Sequence, residues 1–342
     1  MKDLTLYVSV TFLLILSAFV LNSIAASLFP THFIYLFFAV LAFWFFSQID
    51  FDIVSLFGTH LYVISLVLLL ITLVIGAVTR GTVRWIPIGP ISLQPAEIIR
   101  PFLLVFFASY MTHGKVSLNK FIKAGILVFL PVILILIQPS LGVSILTLLG
   151  FFGILLASNF NKKYIFSGLI VLVLLLPLFW QFMVPYQKQR LMTFVNPTSD
   201  PLDAGYNSLQ STIAAGSGKL FGSGLGHGTQ TQLSFLPEKQ TDFIFAATAE
   251  ELGFLGAGLM LIFTFLILYR LIVYMENAVS PAARAYLAGL FLTYLGQVFV
   301  HVGMNMGILP VTGIPYPLVS AGGSSLLATM IGLGIATRAY RR

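Results

Sequence analysis

Ten long apolar segments constrain the fold of this chain more than any other feature. Each approaches the length of about 20 apolar residues that a helix needs to cross a bilayer. The segments are Leu4–Ile24, Thr31–Ser47, His60–Val78, Pro95–Met111, Phe121–Ile137, Leu141–Ser158, Tyr164–Val184, Asp242–Leu271, Ala283–Ile308 and Ser320–Tyr340. Charged residues make up 8% of the chain, against roughly 25% in soluble domains, which is too few to cover a surface in water. The sequence therefore predicts an all-α polytopic membrane protein with ten transmembrane helices in a single domain, residues 1–342.

The basic residues predict the orientation, because cytoplasmic loops carry an excess of Lys and Arg. With the N-terminus inside, 11 of the 18 Lys and Arg fall on cytoplasmic ends or loops, and Arg100 lies within a span. The eleven are Lys2, Lys115, Lys120, Lys123, Lys162, Lys163, Arg270, Arg284, Arg338, Arg341 and Arg342. We expect both termini in the cytoplasm. The first segment is expected to stay as a helix, since no small-residue cleavage site followed by polar sequence ends it.

The long connection between the seventh and eighth segments, residues 185–241, is then predicted to be an extracytoplasmic loop. Gly occupies six of its positions between 216 and 228. Loops of this length are usually functional or disordered. Apolar and aromatic residues along it favour packing on the helix bundle, with disorder as the alternative. These residues are Tyr206, Leu209, Ile213, Leu220, Phe221, Leu225 and Phe235.

The acidic residues are concentrated where this connection enters the eighth segment. Four of the 11 Asp and Glu lie within 19 positions: Glu238, Asp242, Glu250 and Glu251. A carboxylate at a membrane boundary is costly and indicates a functional site. Pro237 and Glu238 suit the first turn of a helix, which would place Asp242 one turn inside it and Glu250 deeper on the same side. We predict that Asp242 is catalytic, with capping of the helix dipole as the alternative. For Glu250 and Glu251, a structural ion pair is an equal alternative to a direct role.

Glu97 and Arg100 form a second charged group, inside the fourth segment. They are three residues apart, so on a helix they share one face and can neutralise each other. An intramembrane pair of this kind faces the protein interior. Substrate binding and a purely structural pair both remain open for these two residues.

Basic residues on the predicted outer side provide candidate contacts to an anionic substrate. A guanidinium or ammonium group there can bind a phosphate-bearing head group, and anchoring at the membrane interface is the alternative. The residues are Arg80, Arg84, Lys188, Arg190, Lys219 and Lys239.

Several kinds of site are not indicated. The chain has no Cys, so it can form neither a disulfide nor a thiolate metal site. No G-x-x-x-x-G-K-[ST] phosphate-binding loop occurs, and the five His lack metal-ligand spacing. In a chain this apolar, the net charge of +7 indicates topology and anionic lipid rather than nucleic acid.

Five segments, taken together and in this order, resemble the SEDS proteins (shape, elongation, division and sporulation), and their RodA branch more than FtsW. The segments are QPAEIIRP at 94–101, QPSLG at 138–142, YQKQRLMTFVNPTSDPLDAGYNSLQS at 186–211, HGTQTQLSFLPEKQTDFIFAATAEELG at 227–253 and GILPVTGIPYPLVSAGGSS at 307–325. The resemblance covers essentially the full chain. Arg100 and Ser140 stand where the family usually has Lys and Asp.

The resemblance implies a peptidoglycan glycosyltransferase of the bacterial inner membrane that polymerises lipid II during cell-wall elongation. It implies that Asp242 is essential, that Glu97 is functionally important, and that the active site lies on the outer face. The implied partners are lipid II, the nascent lipid-linked glycan, a class B penicillin-binding protein (the transpeptidase) and other elongation-complex proteins. Nucleic acid is not among them.

The expected reaction joins the 4-hydroxyl of an acceptor sugar to the anomeric carbon of a diphosphate-linked donor, with inversion. Asp242 would be the general base. No cofactor is indicated with certainty, although a divalent cation (Mg²⁺ or Mn²⁺) or basic side chains could stabilise the leaving diphosphate. The predicted substrate-binding residues are Glu97, Arg100, Arg190, Lys239, Gln210 and Glu250. A lipid II flippase and a non-catalytic scaffold for a transpeptidase remain the alternatives.

Overall fold

A computed structural model of the protein describes residues 3–79, 82–114, 117–158, 160–183, 185–196 and 204–340. Five basic residues used in the topology and substrate predictions lie outside the described residues: Lys2, Arg80, Lys115, Arg341 and Arg342. Part of the long connection, 197–203, also lies outside them.

The described chain is mostly helical, and each of the ten predicted segments coincides with at least one helix. The helices are α1 (Leu4–Ile24), α2 (Phe29–Phe46), α3 (Phe51–Leu56), α4 (Gly58–Ile75), α5 (Pro95–Ile98), α6 (Arg100–Thr112), α7 (Leu118–Ile137), α8 (Leu141–Ala157), α9 (Lys162–Phe182), α10 (Pro185–Val195), α11 (Ala204–Ser217), α12 (Thr229–Gln232), α13 (Ile244–Glu276), α14 (Pro281–Asn305) and α15 (Gly323–Ala336). A short 3-10 turn, Ala26–Leu28, joins α1 to α2.

Six helices among the described residues are long and apolar enough to cross a membrane. They are α1, α2 together with its preceding 3-10 turn, α4, α7, α13 and α14. Helices α8 and α15 are apolar but shorter. The structure thus supports a multi-pass membrane protein, while the count of ten spans stays a prediction.

Polar side chains determine where three of these helices begin. Asp3, Ser117 and Ser280 each accept a hydrogen bond of 3.2 Å from the backbone N–H three residues later. Such N-caps satisfy a donor that the first helical turn leaves unpaired. Asp3 also forms a 2.6 Å ion pair with Arg270, which ties the start of α1 to the second half of α13.

The all-α prediction is wrong between α4 and α5, where the chain forms a small antiparallel sheet. Its strands are β1 (Ala77–Thr79), β2 (Thr82–Ile88) and β3 (Ile91–Leu93), in the order β1-β2-β3. The segment is rich in β-branched and aromatic residues, which favour strands over helices. The hydroxyl of Tyr35, in α2, accepts the N–H of Ser92 at 2.8 Å and donates to its carbonyl at 2.7 Å, so the sheet is attached to the bundle.

Helix α14 is central and packs against α6, α8 and α13. Glycines allow its close approach to α8. A Cβ added at Gly153 would lie 2.5 Å from the carbonyl oxygen of Ala288, and one at Gly150 would lie 2.5 Å from Oγ1 of Thr293. Small residues at such crossings are typical of helices packed within membranes.

Helix α13 is broken at Gly253, whose φ is 68° and ψ is −167°. The glycine-rich segment, residues 218–232, binds the backbone groups around this break. The hydrogen bonds run from the N–H of Ser223 to Glu250 O (2.9 Å), of Gly224 to Glu251 O (3.0 Å), of Phe254 to Lys219 O (2.8 Å) and of Leu255 to Leu220 O (3.2 Å). Backbone polar groups in lipid must find partners within the protein, and this segment supplies them.

Candidate active site

The sequence predicted Asp242 one turn inside α13. In the structure Asp242 lies in the turn before that helix. The helix begins at Ile244. Glu238 has a φ of +52°, and its carbonyl accepts the N–H of Asp242 at 3.0 Å. A left-handed residue cannot continue a right-handed helix, so the chain turns here. The side chain of Asp242 is half-buried.

The backbone around Asp242 is held from two sides. Asn305, at the end of α14, donates from Nδ2 to the carbonyl of Asp242 at 2.9 Å and accepts the N–H of Ala246 on Oδ1 at 2.9 Å. Ser320 donates from Oγ to the carbonyl of Thr241 at 2.8 Å. Asp242 therefore stands on a turn whose position is set by α14 and by the loop 306–322.

Arg190 reaches the same place from α10. Its Nη1 donates to the carbonyl of Val311 at 3.3 Å. Gly313, with φ of +72°, lies beside both charged groups: a Cβ there would be 3.5 Å from Oδ2 of Asp242 and 3.6 Å from Nη1 of Arg190. Opposite charges on the two sides of one glycine attract each other. Arg190 is the predicted substrate-binding residue that the structure brings beside Asp242.

Three of the motif segments pack against one another, and one of them, 307–325, contains most of the loop 306–322. The N–H of Gln94 donates to Oγ of Ser324 at 2.7 Å, and its Nε2 donates to Oγ of Ser140 at 3.1 Å. A Cβ at Gly142 would lie 2.5 Å from Cγ1 of Ile314. The segments 94–101, 138–142 and 307–325, far apart in sequence, thus form one packed unit.

Glu97 and Arg100 are both buried, with 5% and 4% of their surface exposed. The sequence predicted that both lie on one helix. In the structure they lie on two, because α5 ends at Ile98 and α6 begins at Arg100. Nη2 of Arg100 donates to Oε1 of Gln297 at 3.3 Å, and Nε2 of Gln297 donates to the carbonyl of Pro315 at 2.9 Å. Arg100 is therefore connected to the loop that contains Gly313 by hydrogen bonds through Gln297 of α14, and not across an open surface.

Glu250 and Glu251 are 1% and 0% exposed and hold the glycine-rich segment. Their carboxylates accept hydrogen bonds from Gln230 N–H (2.7 Å), Thr231 N–H (2.9 Å), Ser23 Oγ (2.6 Å), Gln232 Nε2 (2.8 Å) and Gly226 N–H (3.2 Å). These donors are uncharged, and Lys239 is a basic side chain that interacts electrostatically with both carboxylates. A structural ion pair and a direct role in the reaction both stay predictions. Glu250 does not line a cleft with Asp242, because both its oxygens face backbone amides.

Lys239 and Gln210 are the two remaining predicted substrate-binding residues. Nζ of Lys239 donates to the carbonyl of Thr231. Partial burial lowers the pKa of Lys239, while the charges of Glu251 and Glu250 oppose that shift. Gln210 is on α11 next to Ser211, whose Oγ donates to the carbonyl of Asn305 at 2.9 Å. Their substrate-binding roles stay predictions.

A family model described as "FTSW_RODA_SPOVE: Cell cycle protein" matches residues 3–342. The chain belongs to the FtsW/RodA/SpoVE family. Peptidoglycan glycosyltransferase MrdB of Escherichia coli (strain K12) is 41% identical to it over 279 residues, which are 81% of this chain and 75% of that protein. The probable peptidoglycan glycosyltransferase FtsW of Idiomarina loihiensis is 36% identical over 285 residues, 81% of this chain and 69% of that protein.

Solved structures share the fold of this FtsW/RodA/SpoVE-family chain. A chain from "Structural coordination of polymerization and crosslinking by a peptidoglycan synthase complex" matches with a TM-score of 0.84 and 29% identity, covering 98% of this chain and 96% of its own. Thermus thermophilus rod shape determining protein RodA matches with a TM-score of 0.73 and 26% identity, covering 98% and 95%. The resemblance drawn from the motifs is confirmed.

Three residues of α14 that position the site were not predicted from the sequence. Gln297, His301 and Asn305 are spaced four apart, so they form one polar stripe on an apolar helix of this family member. Nδ1 of His301 lies 2.7 Å from the carbonyl oxygen of Ile314. Polar residues at this spacing in an apolar segment were the available signal, because they normally face the bundle interior.

In the described part of the chain, no group of three or more His, Asp or Glu side chains could hold a metal ion. The divalent cation considered for this family member therefore has no ready ligand set among those residues, and its involvement stays a prediction.

We expect Glu250→Gln to loosen the glycine-rich segment. The new amide NH₂ would face a backbone N–H in place of an acceptor, which costs about 1–3 kcal/mol. Limited proteolysis between residues 218 and 236 should become several-fold faster, whereas Glu276→Gln, at the exposed end of the same helix, should not change it. Unchanged proteolysis together with a raised KM for the lipid substrate would instead indicate that Glu250 binds substrate.

Proposed function

We propose that this chain is a peptidoglycan glycosyltransferase that polymerises lipid II into glycan strands during cell-wall elongation and cell-shape maintenance. The observation that carries the proposal is the placement of Asp242. Its carboxylate stands on a turn held by Asn305, with the Arg190 guanidinium converging on the same point. The 41% identity to peptidoglycan glycosyltransferase MrdB supports the same activity.

Asp242 is the general base of the proposed reaction. The acceptor 4-hydroxyl gives its proton to the Asp242 carboxylate as its oxygen bonds to the anomeric carbon of the donor. The bond from that carbon to the diphosphate oxygen breaks on the opposite face, so the anomeric centre inverts and the diphosphate keeps the electron pair. A sugar hydroxyl is a weak nucleophile, and a positioned base contributes typically 10²–10⁴-fold to the rate.

Arg190 is the proposed contact to the diphosphate. A guanidinium presents a planar set of N–H donors that matches phosphate oxygens and stabilises the charge that develops on the leaving group. Its bond to the carbonyl of Val311 directs it toward Gly313 and Asp242. Glu97 and Arg100 act from behind the site in this proposal, since both are buried, and Arg100 reaches the loop through Gln297.

The proposed topology has ten spans, both termini in the cytoplasm and Asp242 on the outer face of the inner membrane. The carbonyl of Asp242 is hydrogen-bonded to Asn305, the last residue of the 25-residue helix α14. Arg284 lies in the first turn of α14, at its opposite end. Arg284 thus lies at the end of α14 away from Asp242, on the side where the positive-inside rule places basic residues. The long connection supplies Arg190 from the outer side.

A class B transpeptidase is the proposed partner, together with the nascent glycan and other elongation-complex proteins. The fold neighbour with a TM-score of 0.84 comes from work on a peptidoglycan synthase complex that coordinates polymerization and crosslinking. A chain with the same fold is therefore suited to a similar pairing.

Incubating the purified protein with lipid II, with and without a cognate transpeptidase, tests the proposed function. We expect glycan polymer on a gel, with more product when the transpeptidase is present. Transfer of lipid II across liposome membranes without polymer would establish the flippase alternative. Neither polymer nor transfer in either condition would leave the chain as a scaffold.

A further inference from the structure

A cavity lined by several polar side chains lies at the end of the bundle opposite Asp242, where the proposed reaction has no role for it. Its volume is about 410 Å³, and it is formed where α4 begins, α6 ends and α7 begins. The side chains that line it are mostly hydrogen-bond donors or cations, among them Thr59, Ser109, His113, Asn119, Lys120 and Lys123. Within the described chain, its lining includes neither Asp nor Glu.

The cavity carries positive charge that is held in place. Nζ of Lys120 donates to the carbonyl of Met111 at 3.2 Å and to the carbonyl of His113, so the ammonium is fixed on the wall where α6 ends. Lys123 follows three residues later and lies on the same face of α7. A nearby acid points elsewhere, because Oδ1 of Asp52 accepts the Oγ hydroxyl of Ser280 at 3.5 Å. The cavity therefore favours an anion.

Exposed apolar side chains are next in the chain to residues that line the cavity. Leu56, Phe57, Leu118 and Ile122 are 79%, 57%, 49% and 51% exposed. They lie in the chain beside lining residues of α3, α4 and α7. In a membrane these side chains are suited to contact acyl chains, while the basic cavity lies at the depth of the head groups. An anionic head group with attached acyl chains fits both surfaces, whereas free phosphate would fit only the cavity.

We propose that this cavity binds the phosphate head group of an anionic phospholipid. Basic pockets between transmembrane helices on the cytoplasmic side bind such head groups in other membrane proteins. Here Lys120 and Lys123 contact the phosphate, and the hydroxyl and amide groups of Thr59 and Asn119 donate hydrogen bonds to its oxygens. The site is separate from the proposed active site and does not depend on the reaction assigned there.

Native mass spectrometry of the full chain tests the site, with phosphatidylglycerol, phosphatidylcholine and inorganic phosphate as probes. We expect phosphatidylglycerol to bind preferentially. Lys120→Gln/Lys123→Gln should weaken that binding by about fivefold per lysine, the contribution of one basic residue near a membrane surface. The matched control, Lys163→Gln/Arg284→Gln, removes the same charge from exposed residues of α9 and α14 that do not line the cavity. Salt screens exposed charges that are not at the site, so the control should change the binding less than about twofold.

Lys123→Gln alone provides a second variant, because Lys120 also binds the last carbonyls of α6 and its loss could disturb the fold. Lys123 is exposed, so this variant should keep its melting temperature in phosphatidylcholine and still lose about fivefold in phosphatidylglycerol affinity. Equal losses in the cavity and control variants would overturn the proposal. So would equal binding of phosphatidylcholine, or inorganic phosphate binding as tightly as the lipid.

Discussion

Replacing Asp242 by Asn is expected to lower glycan polymerisation by about 10²–10⁴-fold while leaving the fold intact. The amide keeps the shape of the side chain but cannot accept a proton from the sugar hydroxyl. The turn itself is held through the backbone carbonyl of Asp242 by Asn305, and the substitution does not alter that bond. Polymer formed from lipid II by purified protein is the measurement, with the melting temperature as the check on folding.

Glu238→Gln is the matched control, since it removes one carboxylate from the same turn. Glu238 accepts the hydroxyl of Thr241 on Oε2 at 3.2 Å, a role that an amide oxygen can also fill. We expect its activity to stay within about threefold of wild type. Wild-type rates from Asp242→Asn would remove Asp242 from the mechanism.

Arg190→Gln distinguishes a base from a structural ion pair. If Asp242 only oriented Arg190 at Gly313, removing either charge would reduce polymerisation equally. If Asp242 accepts the proton, Asp242→Asn should be the more severe change, and Arg190→Gln should act mainly on KM for the diphosphate substrate. A KM effect of Arg190→Gln alongside a rate effect of Asp242→Asn is the expected result.

Local patterns predicted much of the helical framework but not its interruptions. Leu4–Ile24 is mostly apolar and carries no charged residue, and the helix has the predicted bounds. Pro237 and Glu238 signal a helix start equally clearly, yet Glu238 adopts a left-handed conformation and the helix begins at Ile244. Bonds from Asn305 and Ser320 hold this turn, and such tertiary contacts outweigh a local preference for helix.

The candidate site was only partly predicted, again because tertiary contacts cannot be seen in the local sequence. Asp242 could be recognised as a carboxylate at a membrane boundary, a signal carried by its own position in the chain. Its neighbour Arg190 lies 52 residues earlier, and no periodicity connects the two. Glu250 looked equally functional by that criterion, because sequence spacing cannot show that its oxygens face the backbone of Gln230 and Thr231.

Replacing Gly253 by Ala is expected to destabilise the protein by about 1–3 kcal/mol through the backbone alone, because its φ and ψ lie in a region that essentially only Gly occupies. The backbone conformation is φ 68° and ψ −167°. An added Cβ would also lie 2.5 Å from the carbonyl oxygen of Leu220, in the segment that pairs with the break in α13. The chain would have to move that segment or straighten the helix. Either change would break the bonds from Phe254 and Leu255 to the glycine-rich segment.

Gly258→Ala is the matched control, five residues further along α13. A Cβ there meets no described atom within 4 Å, so the substitution should be neutral or stabilise the helix by about 0.5–1 kcal/mol. Thermal unfolding of both variants in detergent measures the difference, with a melting temperature lowered by roughly 5 °C or more only for Gly253→Ala. Because the glycine-rich segment is also bound by Glu250 and Glu251, the Gly253 variant should additionally show faster proteolysis between 218 and 236. Equal melting temperatures for the two alanine variants would show that α13 does not depend on its break.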